Sequence, residues 1–237
     1  VAALRARPPA WRRPWAVASA AVLILAGVLG YRMLLMPEAD TAAHPLALQT
    51  AIGERREMVL EDGSRIMLDT DSAVEVAFEP DVRILRLQRG RIHVVAAHDP
   101  ARPMRVLSAG GEVRVVGTTF QVRQTGDAVD VALLEGRVAV SANVAGDRGP
   151  AHEMRELSAG QRVRYHRNGA IDVTEPIAAN ESTGWLEGRL VFEDWPLDAL
   201  VAEANRYSDV HLVLAEPALA KIRVSGQVKA GDQASLA

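Results

Sequence analysis

The sequence has 237 residues, 49% of them apolar and 24% charged, which suffices for one or two domains with real cores and argues against wholesale disorder. A formal net charge of −3 gives no electrostatic case for direct binding to nucleic acid. The absence of cysteine removes disulfides, zinc–thiolate centres and thiol catalysis together.

In chain order, residues 1–14 carry Arg5, Arg7, Arg12 and Arg13 and lead into an apolar run from Trp15 to Met36 whose single charge is Arg32. As a helix that run would be about 33 Å long, close to a bilayer core. Trp11, Trp15 and Tyr31 bracket it as interfacial aromatics would. The arginines before it, set against Glu38 and Asp40 beyond it, place residues 1–14 in the cytoplasm and residues 37 onward outside. A signal peptide would need a shorter apolar core and a better cleavage site than "TAA" at 41–43, and a buried soluble helix is the other reading. The chain starts with Val1 and stops in "GDQASLA", so a piece of a longer protein is expected, with its C-terminal module cut short.

A linker over 37–48 gives way to period-two alternation. "MVLEDGSRIML" places Asp62-Gly63 between apolar alternations, a hairpin signal. The phrase Leu-x-x-Gly then recurs at Leu60/Gly63, Leu87/Gly90, Leu107/Gly110, Leu133/Gly136 and Leu157/Gly160. Each copy is followed by an alternating strand: Ile66/Leu68, Ile92/Val94, Val113/Val115, Val138/Val140 and Val163/Tyr165. The recurrence predicts hairpin repeats stacked into one extended antiparallel β domain over 49–175. After a loop near 177, residues 182–237 predict a small α/β module: a strand in "WLEGRLVF", a helix started by Asp194 and Pro196, and strands in "HLVL" and "KIRVSGQV". Leu197, Leu200, Val201, Ala204 and Tyr207 share one helical face.

Few residues suggest chemistry. His44, His93, His98, His152, His166 and His211 lack metal-ligand spacing, so neither metal nor cofactor is expected. Asp69 and Asp71 resemble paired carboxylates but fit a polar turn better. Arg83, Arg86, Arg89 and Arg91 read as the solvated face of a strand. Trp185, Phe192, Trp195 and Tyr207 are candidates for docking a partner, Trp195 above all if exposed.

Several phrases resemble the FecR-like transmembrane regulators of cell-surface signalling. "LEDGSRIMLDTDSAVEV" resembles a family stretch in which Asn is usual at the position of Asp69. "RILRLQRGRIHVVAAHDPARPMRV" is similar to a second, with Gly90-Arg91-Ile92 replacing Gly-Glu-Ala and Met104 replacing Phe. "VVGTTFQVR", "VALLEGRVAV" and "LSAGQRVRY" follow in order, and "GWLEGRLVFEDWPLDALVAEANRY" resembles the signalling domain of TonB-dependent outer-membrane receptors, the secretin/TonB short N-terminal fold.

The resemblance implies a mainly β, single-pass inner-membrane protein with a periplasmic C-terminal part. It would relay a signal from an iron-siderophore receptor to an extracytoplasmic-function sigma factor, which binds a segment before residue 1. Envelope proteases would release that segment, and the module would dock the receptor's signalling domain, by strand addition in one form. Some relatives are understood to break at the bond matching Gly117-Thr118, where a Thr hydroxyl can attack the preceding carbonyl. Otherwise Gly117 marks a bulge or a close backbone approach. Such self-processing has no turnover, so no enzyme is expected. The rivals are an anchored, carbohydrate-active envelope enzyme, needing two convergent carboxylates, and a structural or adhesive β-repeat protein.

Overall fold

The computed structural model describes residues 45–142, 153–177 and 182–236. The apolar run 15–36 with its flanks, most of the linker, and His44 and His152 lie outside them. Among the described residues no helix is long and apolar enough to cross a membrane.

The first strand, β1 (Leu46–Gln49), already lies within the stretch read as linker. There follow β2 (Arg56–Val59), β3 (Arg65–Leu68), β4 (Ala73–Phe78) and the long β5 (Arg83–Val95). Next come β6 (Met104–Ser108), β7 (Gly111–Val115), β8 (Thr119–Thr125) and β9 (Ala128–Glu135). Then come β10 (Arg137–Ala142), β11 (Glu153–Ser158), β12 (Gln161–His166) and β13 (Glu175–Pro176). These thirteen strands form a single curled sheet in which β5 is the seam.

The N-terminal half of β5 pairs with β4 and β6, and its C-terminal half, from Gly90, pairs with β3 and β8. One arm therefore runs β1-β4-β5-β6-β7-β10-β11 and the other β2-β3-β5-β8-β9-β12-β13. Every pairing is antiparallel except β5–β6. Hairpin repeats are thus present, but they curl around a shared core rather than stacking into an extended array. A single apolar cluster draws Leu48, Val74 and Val106 from one arm and Ile66, Phe120 and Val131 from the other. The Tyr165 hydroxyl reaches across to donate to the Ser108 carbonyl at 2.9 Å.

The Leu-x-x-Gly phrase has one structural meaning. All five glycines sit at φ between 82° and 90°, and four of the five leucines are buried. Leucine enters the core, and three residues later the chain must turn through a left-handed position that favours glycine. Gly90 differs, because it lies inside β5 rather than in a turn, and a Cβ there would meet Ser72 Oγ at 2.2 Å. It lets one strand leave one arm and enter the other.

The distal module differs from expectation at three points. "WLEG" forms a 3₁₀ turn (Gly184–Glu187), and the strand β14 begins only at Arg189 and runs to Pro196. Asp194 does not cap the helix. It sits at φ 52° in a bulge of β14, held by Arg223, and Pro196 takes the N-cap of α1 (Leu197–Asn205). "HLVL" is irregular, and only β15 (Arg223–Lys229) pairs with β14. Residues 211–214 pair with no strand among the described residues, and Val213 is exposed.

Candidate functional site

The module packs on the sheet through charge rather than through a continuation of the apolar core. Arg91, just past the Gly90 seam, points its guanidinium at Asp69 from the adjoining strand end, with Nε and Nη2 donating to Oδ2 at 2.8 and 2.6 Å. From the module, Tyr207 donates to the same oxygen at 2.9 Å, and Arg206 lies 3.4 Å from it. Glu203, the buried residue of α1 that the apolar pattern leaves out, accepts from Arg206 at 2.9 Å and Arg91 at 3.2 Å, while its other oxygen lies 2.6 Å from Arg123 on β8. Trp185 slides beneath, with Arg91 4.5 Å above its ring and its indole N–H donating to Gln121 at 3.1 Å. Backbone contacts reinforce the junction: Arg55 donates to the Trp185 and Leu186 carbonyls, and the Thr70 hydroxyl to the Arg206 carbonyl at 2.8 Å.

Burial opposes the charge on Glu203, but Arg91, Arg123 and Arg206 outweigh it and bring its carboxyl down to about 2. Burial pulls the Arg123 guanidinium down, with Arg206 and Arg91 adding repulsion against the attraction of Glu203. Burial raises Tyr207, which stays a neutral donor.

The aromatic docking candidates separate here. Trp185, Phe192 and Tyr207 are 1%, 7% and 5% exposed, so all three are covered by this chain's own surface. Phe192 stays inside the module against Gly226 and Trp195, the latter at 6.4 Å between ring centroids. Trp195 alone is half-exposed, on a groove of about 510 Å³ between α1 and the face of β8, β9 and β12. The arginine run also divides. Arg86 and Arg89 face solvent, whereas Arg83 is fully buried among Asp62 and nearby backbone carbonyls, and Arg91, past the Gly90 crossing, is nearly so. Asp69 and Asp71 do not converge: Asp69 is buried in the ionic junction, and Asp71 is exposed beside Arg89 in a turn.

A second site surrounds Gly117-Thr118. These residues form the connection from β7 in one arm to β8 in the other. Asp62 of the hairpin turn accepts from Arg83 at 2.6 Å and from the Ser64 hydroxyl at 2.6 Å. Arg83 in turn donates to the carbonyls of Arg102, Ala97 and Val116. Asp99 N–H also binds the Val116 carbonyl, and Ala96 N–H binds that of Thr118, so the connection is pinned on both sides. A Cβ at Gly117 would meet His98 Nδ1 at 2.7 Å, so glycine is required for the close approach. The Thr118 hydroxyl is buried without a hydrogen-bond partner among the described residues, beside a cavity of about 220 Å³ that His98 also lines. No pattern in the sequence joins His98 to this bond.

Residues 47–139 match the family profile described as FecR protein. Among solved structures, two crystal structures of a candidate anti-sigma factor from Parabacteroides distasonis superpose with TM-scores of 0.64 and 0.63 at 20% identity, covering 81% of this chain and 88% of theirs. No curated protein matches the sequence. Over residues 47–139 the two-armed β sheet with its left-handed glycines is similar to the FecR protein family.

Proposed function

We propose that this chain regulates a sigma factor from the inner membrane. Residues 15–36 anchor it, residues 1–14 face the cytoplasm, and the described domains stand in the periplasm. The observation that carries this reading is the FecR match over 47–139, and the fold shared with a candidate anti-sigma factor supports it. An extracytoplasmic-function sigma factor is the cytoplasmic partner, bound by a segment before residue 1. A TonB-dependent siderophore receptor is the outer-membrane partner, met through the α/β module, whose β15 pairs among the described residues only with β14 and so keeps one edge free for strand addition. Two measurements test this: alkaline phosphatase fused after Ala43 becomes active, and the natural protein co-purifies from membranes with a sigma factor. A cytosolic reporter, or purification free of sigma factor, removes the reading.

The chain is not a turnover enzyme in this proposal, but it breaks its own backbone once. The Thr118 Oγ attacks the Gly117 carbonyl carbon and the C–N bond opens. The hydroxyl proton passes to the released Thr118 amine, and an ester joins Gly117 to Oγ. Water then yields a Gly117 carboxylate and a free hydroxyl. The Thr118 hydroxyl, without a partner among the described residues, favours this over a purely structural bulge, and His98 lines the same cavity. Because β7 and β8 each keep their own partners, the fragments stay together natively and separate only when denatured. Mass spectrometry should find the break after Gly117, lost in Thr118→Ala and kept in Thr118→Ser. An intact wild-type chain overturns it.

A further inference from the structure

We propose that the groove between α1 and the β8–β9–β12 face binds a carboxylate-bearing polypeptide segment, with Arg123 as its anchor. This rests on the geometry of the junction and stands apart from the sigma-factor reading.

The buried part of the junction holds more cations than anions. Three guanidiniums, Arg91, Arg123 and Arg206, face two buried carboxylates, Asp69 and Glu203, and Asp130, opposite Arg123 on β9, is shared with Arg164. Asp69 is fully buried and Glu203 is 4% exposed, so solvent does little to screen the surplus. Of the three cations Arg123 is the poorly served one. It makes no hydrogen bond among the described residues: its Nη2 touches Glu203 without alignment, and its Nε is sealed from water with no partner. A buried donor in that condition is costly, and the part of the guanidinium beyond the sealed Nε is what an acceptor in the groove would reach. About a quarter of the Arg123 side chain, 26%, remains exposed, and it opens into the groove.

The walls decide what kind of acceptor fits. Arg162 and Arg164 continue the positive face along β12, each already held by one carboxylate, Glu175 and Asp130, and so able to share its remaining donors. Trp195, Pro196, Ala199 and Ala202 make the opposite wall apolar. A volume of about 510 Å³ is many times the roughly 30 Å³ that a water occupies in the liquid, so it suits several residues of chain rather than a lone inorganic anion. A carboxylate on Arg123 with apolar neighbours against Trp195 satisfies both walls. It also completes the charge of the junction that holds α1 to the sheet, so occupancy tightens the module.

The test uses the full chain in detergent, with fluorescence anisotropy of a labelled Ala-Glu-Ala-Glu-Ala peptide, its Gln counterpart, and sodium sulfate as competitor. The acidic peptide binds, and both the Gln peptide and the Arg123→Gln variant bind about tenfold more weakly or worse, as loss of a charge-assisted hydrogen bond implies. Arg123→Gln removes the cation that Glu203 touches, so it loses some melting temperature, and its binding is compared where circular dichroism shows the variant folded. Trp195→Ala, away from the charges, weakens the peptide without changing the response to sulfate. Equal binding of the Gln peptide, no binding at all, or unchanged peptide affinity in folded Arg123→Gln overturns the proposal. Displacement by sulfate at equal charge reduces the groove to a site for small anions and overturns the polypeptide assignment.

Discussion

Glu203 lies on the helical face between Leu200 and Ala204, where the apolar pattern has no place for a carboxylate, and it is nonetheless buried. Its partners come from β5, β8 and the end of its own helix, so its role exists only after folding. Glu203→Gln would leave three guanidiniums facing Asp69 alone. Removing one member of a buried ionic group costs about 3–5 kcal/mol, and urea unfolding should show a loss in that range. A change under about 1 kcal/mol would mean that the junction is solvated in solution. Asp69 is likewise legible as a turn residue but not as a buried ion, because Arg91 and Tyr207, which make it one, lie far off in sequence.

The repeating Leu-x-x-Gly units were readable because each is local: a core leucine, a left-handed turn, an alternating strand. Gly90 breaks the equivalence. The same dihedral serves a seam instead of a turn, and the difference lies in what surrounds it. Gly63 has φ 82° with open space around it, while Gly90 has φ 84° with Ser72 Oγ in the way. Gly63→Ala should therefore cost about 1 kcal/mol, the backbone penalty alone. Gly90→Ala should cost roughly 3 kcal/mol or more, adding overpacking to strain. Thermal melts of the two variants compare them directly, and equal losses would deny the seam its special role. The distal module was legible as a helix between strands, but "HLVL", for all its strand propensity, pairs with no strand among the described residues and is irregular.

The molecule as a whole joins an apolar β core to a module held by charge, and these two attachments respond differently to acid. The Glu203 carboxyl lies at about 2 in the folded protein, below its ordinary value of 4.5. Its contribution is therefore complete above about pH 4.5 and is lost as pH falls towards 2, on the order of 3 kcal/mol in all. Hydrogen exchange between pH 7 and pH 3 should show α1 losing protection while strands β5 and β9 keep theirs. Uniform loss across the chain, or protection of α1 unchanged at pH 3, would contradict a separately held module. The proposed cleavage sits at the other extreme: the connection it would open crosses between arms already paired on both sides, so the fold should survive it.

Alternation, turn glycines and the phrase order of a known family were enough to read a β-rich chain that resembles the FecR family over much of its length, with a small distal α/β part, since each depends on residues adjacent along the backbone. Which arginines are buried, why Gly117 must be glycine, and how Glu203 binds one domain to another were decided only when the strands curled. Burial and ion pairing depend on what lies across the fold, and β5 exchanges its neighbours midway along its length.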